Sequence, residues 1–171
     1  MMSKRIFMSM ATALMALALH AQNYTSAFGC DSNGPYTNIR NAPNGKVVDQ
    51  IPTEDDTMFV LDTPTNGWWR IVGNGYSNVE NQYIDLEGST TGYWIHSSVV
   101  AVGTRNYGNE VLLLKASPSD DAKIVGRITE ESLVHPIDVK GDWVKVKTFD
   151  GKQTGWIEEY WLCSNPVTTC P

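Results

Sequence analysis

Gly67-Trp68-Trp69-Arg70-Ile71 is answered 75 positions later by Asp142-Trp143-Val144-Lys145-Val146. Outward from these stretches the match continues. Upstream stand Ile39-Arg40-Asn41-Ala42-Pro43 and Leu114-Lys115-Ala116-Ser117-Pro118, whose prolines share the same offset. Lys46-Val47-Val48 is followed by Ile51, and Lys123-Ile124-Val125 by Ile128. Downstream, Gly92-Tyr93-Trp94-Ile95 is matched by Gly155-Trp156-Ile157. A pattern that recurs at one spacing reads as two copies of one structural unit. A unit of about 60 residues is marginal alone, so the two are expected to pack on each other. Each is also too small for a deep catalytic cleft and suits binding better than catalysis.

The segments within each copy are short and rich in β-branched and aromatic residues: Thr57 to Leu61, Trp68 to Val72, Val111 to Leu114, Val134 to Val139 and Trp143 to Lys147. Clusters of Pro, Gly, Asn and Asp separate them, as in Ala42-Pro43-Asn44-Gly45 and Thr63-Pro64-Thr65-Asn66-Gly67. After the first 21 residues no stretch holds a helical period over three turns. The pattern predicts an all-β chain of small barrels or sandwiches. Asp150-Gly151 predicts a tight type I′ hairpin, since both residues tolerate positive φ.

With these motifs in order, the chain resembles the bacterial SH3-like domain. The first copy does so through Ile39-Arg40-x-x-Pro43, Gly67-Trp68-Trp69-Arg70-Ile71 and Gly92-Tyr93-Trp94-Ile95-His96-Ser97-Ser98. The second does so through Leu114-Lys115-Ala116-Ser117-Pro118, Lys123-Ile124-Val125-Gly126 and Thr154-Gly155-Trp156-Ile157. The resemblance implies two small SH3-like β-barrels packed in tandem, over 36–102 and 111–171 including a C-terminal tail. A linker at 103–110 would join them, and an N-terminal segment at 22–35 would precede them. Members of this family are mostly accessory modules of exported proteins that bind cell-wall peptide or glycan, often beside a wall hydrolase. The implied function is a non-enzymatic module recognising such a ligand, or an envelope protein, without cofactor or metal. Two departures stand out. The second copy opens on Leu113-Leu114-Lys115 where the first has Asn38-Ile39-Arg40, and the first carries an insertion over 73–91.

Lys4-Arg5 followed by the apolar run Ile6 to Leu19 and Leu19-His20-Ala21 reads as a cleaved signal peptide, residues 1–21. The run is too short for a spanning helix, which needs about 20 apolar residues. A secreted or periplasmic protein is expected, with no membrane insertion. Removing Lys4 and Arg5 leaves 11 Lys and Arg against 19 Asp and Glu, a net charge of 11 − 19 = −8. That charge repels phosphates and disfavours nucleic acid as a partner. Cys163 and Cys170 flank an Asn165-Pro166 turn and are expected to form a disulfide that staples the tail. Cys30 is then left over, either free or paired with another chain. As a nucleophile it would need His96 or His135, and nothing in the sequence joins either to it.

Strand alternation turns Trp69 and Ile71 inward with Val144 and Val146, leaving Trp68 and Trp143 beside Arg70 and Lys145 and partly exposed. Each tryptophan is either a binding platform or a cover over a barrel edge, packed by the stem of its cation. In the last strand, Ile95 and Ile157 face inward, so Trp94 and Trp156 face the other way. By resemblance to SH3 domains, the residue after this Ile and the one three later border a peptide groove. These are His96 and Val99 in the first copy, and Glu158 with Tyr160 or Trp161 in the second. Tyr76 and Tyr83, among the polar residues of the insertion, either line a further ligand site or belong to a solvated hairpin.

Overall fold

The computed structural model describes residues 23–72, 75–77, 81–84 and 92–170; the expected signal peptide, residues 1–21, lies outside them. Among the described residues no helix is long and apolar enough to cross a membrane. The chain is all-β, with 3-10 turns as its only helical elements among those residues. After β1 (Tyr24–Gly29), the first unit runs β2 (Tyr36–Arg40), β3 (Val47–Pro52), η1 (Thr53–Asp55), β4 (Met58–Thr65) and β5 (Trp68–Ile71). It continues through β6 (Gly75–Ser77), β7 (Gln82–Ile84), β8 (Tyr93–His96), η2 (Ser97–Val99) and β9 (Val100–Thr104). The second unit runs β10 (Leu112–Lys115), β11 (Ile124–Ile128), β12 (Leu133–Lys140), β13 (Trp143–Thr148), β14 (Thr154–Glu158), η3 (Glu159–Trp161) and β15 (Leu162–Cys163).

The sequence repeat is also a repeat of strand register. Leu61 pairs with Ile71 and Thr65 with Trp68; 75 positions later Pro136 pairs with Val146 and Lys140 with Trp143. Trp69 faces Ile95 as Val144 faces Ile157, and Arg40 faces Trp94 as Lys115 faces Trp156. Both β4 and β12 carry a register shift beside a proline, Pro64 or Pro136, which fits the confinement of proline to bulges and edges. The insertion folds back as the β6–β7 hairpin, with Tyr76 paired to Met58 of β4 and to Tyr83.

The repeat extends into segments that sequence reading placed outside the units. β1 lies within the expected N-terminal segment 22–35, yet Phe28 pairs with both Met58 and Ala101. At equivalent positions Gly103, the first residue of the expected linker, pairs with both Leu133 and Cys163. β9 therefore closes the first unit and opens the second. All strands of the described residues fall in one sheet whose main path runs β11-β10-β14-β13-β12-β9-β1-β4-β5-β8-β2-β3, and the path does not close on itself.

One hydrophobic cluster runs through both halves, from Ala27, Ile39, Phe59, Leu61, Trp69 and Ile95 to Leu114, Val134, Val144, Val146 and Ile157. Across the junction the Trp69 indole N–H donates to the Pro136 carbonyl at 2.9 Å. A buried indole needs such an acceptor, and this one ties the first unit's central strand to the second unit. The Cys163–Cys170 disulfide is present and holds the tail beyond β15. The 148–153 turn differs from the expected type I′ form. Only Gly151 has positive φ (72°), and its N–H donates to the Thr148 carbonyl at 2.8 Å, as in a type I turn followed by a left-handed residue. The Thr148 hydroxyl, donating to the Asp150 carboxylate at 2.6 Å, and the Lys152 backbone N–H hold that carboxyl down at about 2. Asp150 thus has a local partner that favours ordinary right-handed backbone.

Candidate functional site

Each central-strand tryptophan sits next to a hairpin tip that anchors the following 3-10 turn. In the first unit Asn66 and Gly67 both take positive φ (51° and 83°), and the Gly67 carbonyl accepts from Ser97 N–H at 2.8 Å. A Cβ at Gly67 would lie 3.3 Å from His96 Nε2, a second reason for glycine there. In the second unit the Asp142 carbonyl accepts from Glu159 N–H at the same 2.8 Å. These anchors put His96 opposite Trp68 and Glu158 opposite Trp143.

Above Trp68 the groove is filled. Arg40 donates from Nη1 to the Gly45 carbonyl at 2.7 Å, and its guanidinium carbon lies 5.6 Å from the Trp68 ring centre. The His96 ring meets Trp68 edge-on, with centroids 4.9 Å apart. Ser98 N–H donates to His96 Nδ1 at 3.2 Å, fixing that nitrogen as the acceptor. Burial, and then the charge of His135, hold His96 below the ordinary histidine range. Trp68 keeps only 8% exposure, so the expected partial exposure does not hold. Alternation identified its side of the strand correctly, but a cation from β2 and an imidazole from β8 lie over that side.

In the second unit the same positions leave a groove. Lys115 stands where Arg40 stands, and its Nζ donates to the Asp120 carbonyl at 2.5 Å, repeating the Arg40–Gly45 bond. Trp143 is half-buried, and Glu158 is exposed where the first unit has His96. The register makes Trp161, rather than Tyr160, the counterpart of Val99. Trp143, Trp161, Glu158 and Lys115 line a cavity of about 290 Å³ together with Val111 and Leu113, which are 51% and 36% exposed. Tyr160, 67% exposed, stands edge-on to Trp161 with centroids 5.3 Å apart. The Arg105 guanidinium lies 4.8 Å from the Tyr160 ring centre and donates to the Tyr160 carbonyl at 2.8 Å. Aromatic walls, apolar surface from Val111 and Leu113 and the exposed Glu158 carboxylate make a groove fit to hold a side chain.

The remaining candidates fall elsewhere. Trp94 is half-buried between Arg40 and Arg70 on neighbouring strands. Trp156 is flanked by Lys115 and Lys145 and is only 8% exposed, with the Lys145 ammonium 6.0 Å from its ring centre. It packs under cation stems instead of presenting a face to a ligand. The Tyr76 hydroxyl is hydrogen-bonded to the Asn81 side chain at 2.5 Å within its own hairpin. The Tyr83 side chain, with Asn74 and Asn78, lies outside the described residues.

A cavity of about 760 Å³ lies at the junction and is lined by Cys30, Asp31, Asp56, Glu131 and the disulfide-bounded tail. Burial, then Asp31 and Asp56, push the Cys30 thiol up, which is opposite to what a nucleophilic thiolate requires. Neither His96 nor His135 lines that cavity. His135 Nδ1 is 2.8 Å from the Val100 carbonyl and its ring stacks on Phe149. Sequence reading missed Arg40 as the cover on Trp68, and Val111 and Leu113 as groove walls. The signal for Arg40 was present, since positions 40 and 115 both carry a cation at one point of the repeat.

No curated protein matches the sequence. Among solved structures, NlpC1 from Trichomonas vaginalis is similar at 14% identity, covering 90% of this chain and 50% of that one, with a TM-score of 0.32. NlpC2 from the same organism gives 14% identity, 82% and 48% coverage and a TM-score of 0.32. The chain thus spans about half the length of each. The sequence model of the bacterial SH3 domain matches residues 110–162, from the residue before Val111 to Leu162 of β15. The stretch that carries the open groove is therefore a bacterial SH3 domain.

Proposed function

We propose that this chain is an exported, non-enzymatic binding protein of two SH3-like units, and that the groove of the second unit recognises a peptide, glycan or protein of the cell envelope. The observation that carries the reading is the contrast between Trp68, sealed by Arg40 and His96, and Trp143, which faces an open groove with Trp161. A large aromatic left half-exposed beside Val111 and Leu113 has no packing role that would require such exposure, and aromatic anchors of this kind dominate recognition surfaces. The bacterial SH3 match over 110–162 supports cell-wall material as the first ligand class to try. The displaced pKa and surroundings of Cys30 give no support to a Cys–His hydrolase.

Retention of the full chain on isolated cell-wall sacculi and on immobilised envelope extract tests this. Trp143→Ala is expected to abolish retention, while Trp68→Ala destabilises the fold without removing binding from the folded fraction. Undiminished retention of Trp143→Ala would move the site away from this groove. Secreted material whose intact mass begins at Gln22 checks export; a retained Met1 would refute cleavage.

A further inference from the structure

Resting on that reading of the groove, we propose that the group it holds is cationic: an alkyl stem ending in an ammonium or guanidinium, stacked on Trp143 and paired with Glu158. The first unit already contains a bound version of this contact. There the chain's own Arg40 lays its guanidinium 5.6 Å from the Trp68 ring centre, inside the range at which a cation and an indole face attract. The equivalent pocket is thus occupied from within by a cation over its tryptophan, whereas the Lys115 ammonium at the second groove is turned to the Asp120 carbonyl.

Three substitutions within the repeat explain the open groove and its charge preference. Lys115 replaces Arg40, and its ammonium is held by the Asp120 carbonyl. Lysine lacks the forked guanidinium that lets Arg40 bond Gly45 and lie over the ring together. Glu158 replaces His96, putting an exposed carboxylate where the first unit has an imidazole that resists protonation. Trp161 replaces Val99 and adds a second aromatic wall beside Trp143. Val111 and Leu113 supply apolar surface for the stem. A neutral or anionic ligand would leave Glu158 unpaired or repelled, whereas an amine completes it. The negative net charge of the chain, −6 over the whole sequence, favours the same ligand class at a distance.

The test is a titration of the full chain, followed by tryptophan fluorescence, with the peptide acetyl-Ala-Lys-Ala-amide and its Nε-acetylated counterpart. Cell-wall sacculi before and after acetylation of their free amines are run in parallel. The free-amine probes are expected to bind, and acetylation or Glu158→Gln should weaken binding about tenfold, as for loss of a charge-assisted aromatic contact. Glu158 is exposed, so this variant should fold normally. Lys115→Arg with Glu158→His, which rebuilds the first unit's cover in the second, should lose binding altogether. Equal binding of both peptides, or indifference to Glu158→Gln, overturns the inference. Sacculi binding that depends on Trp143 but ignores acetylation overturns the cation while leaving the groove as the site. Sacculi binding unchanged in Trp143→Ala overturns the groove itself.

Discussion

The two units share the pairings of their central strands, to which the first adds the β6–β7 hairpin, and their grooves differ in the side chains over one tryptophan. Trp68 and Trp143 occupy equivalent positions opposite His96 and Glu158, and Arg40 and Lys115 make equivalent bonds to the Gly45 and Asp120 carbonyls. Yet Trp68 is buried and Trp143 is not. The backbone framework therefore does not decide whether the groove is open. The side chains at its mouth decide it, by closing the first groove from within and leaving the second open. The units also differ in how they end: the first unit's closing strand continues as β9 into the second, whereas β15 stops at Cys163 and is tied back by Cys170.

The largest expected effect lies in the asymmetry of the shared core. Trp69→Ala should cost about 3–5 kcal/mol in denaturant unfolding, as for other buried aromatic truncations. Trp69→Phe isolates the bond to Pro136, and stranding that buried carbonyl should cost about 1–3 kcal/mol. Trp69→Phe unfolding like the parent chain would mean that the cross-unit bond does not hold the halves together. Next in size is the tail. Replacing Cys163 and Cys170 together by serine should lower stability by about 2–3 kcal/mol on the loop-entropy estimate, read as a lower melting temperature.

A smaller effect tests the cover itself. Arg40→Ala should cost about 1–2 kcal/mol through the lost Gly45 bond and ring contact, with a red shift in tryptophan emission as Trp68 meets water. Lys115→Ala should leave the exposure of Trp143 nearly unchanged, read at that residue by hydroxyl-radical footprinting, because Trp143 is already half-exposed. If the two variants behaved alike, the grooves would not differ as described. The smallest effect is a pH dependence. The folded pKa of His96 is lowered, so the unfolded chain takes up the proton first. Stability should therefore be greatest above the ordinary histidine value of about 6.5 and decline as pH falls through it. His96→Gln should flatten that decline in melting scans, and an unaltered slope would assign it to another group.

Much of this was legible in the residues. The 75-residue repeat pointed to one strand pattern read twice, and alternation picked out Trp69, Ile71, Val144 and Val146 as core. The Cys163–Cys170 pairing followed from a short loop with a turn inside it. β1 was not legible, because Tyr24-Thr25-Ser26-Ala27-Phe28-Gly29 lacks a clean alternation. Its partner in the repeat, β9, shows Val102 and Gly103 where β1 has Ala27 and Phe28. The equivalence lies in pairing register and not in residue type. The burial of Trp68 was hidden for a different reason. Alternation tells which side of a strand a residue faces, but not what another strand lays over that side. Arg40 is 28 positions away in the chain, and its reach to Trp68 depends on β8 lying between β2 and β5.

Hydroxyl-radical footprinting, read by mass spectrometry at each tryptophan of the full chain with and without bound cell-wall sacculi, tests the contrast most directly. Trp143 and Trp161 should oxidise rapidly in the free protein and be protected on binding, while Trp68 should oxidise slowly in either state. Trp68 reacting as fast as Trp143, or Trp143 reacting equally with and without bound sacculi, would contradict it.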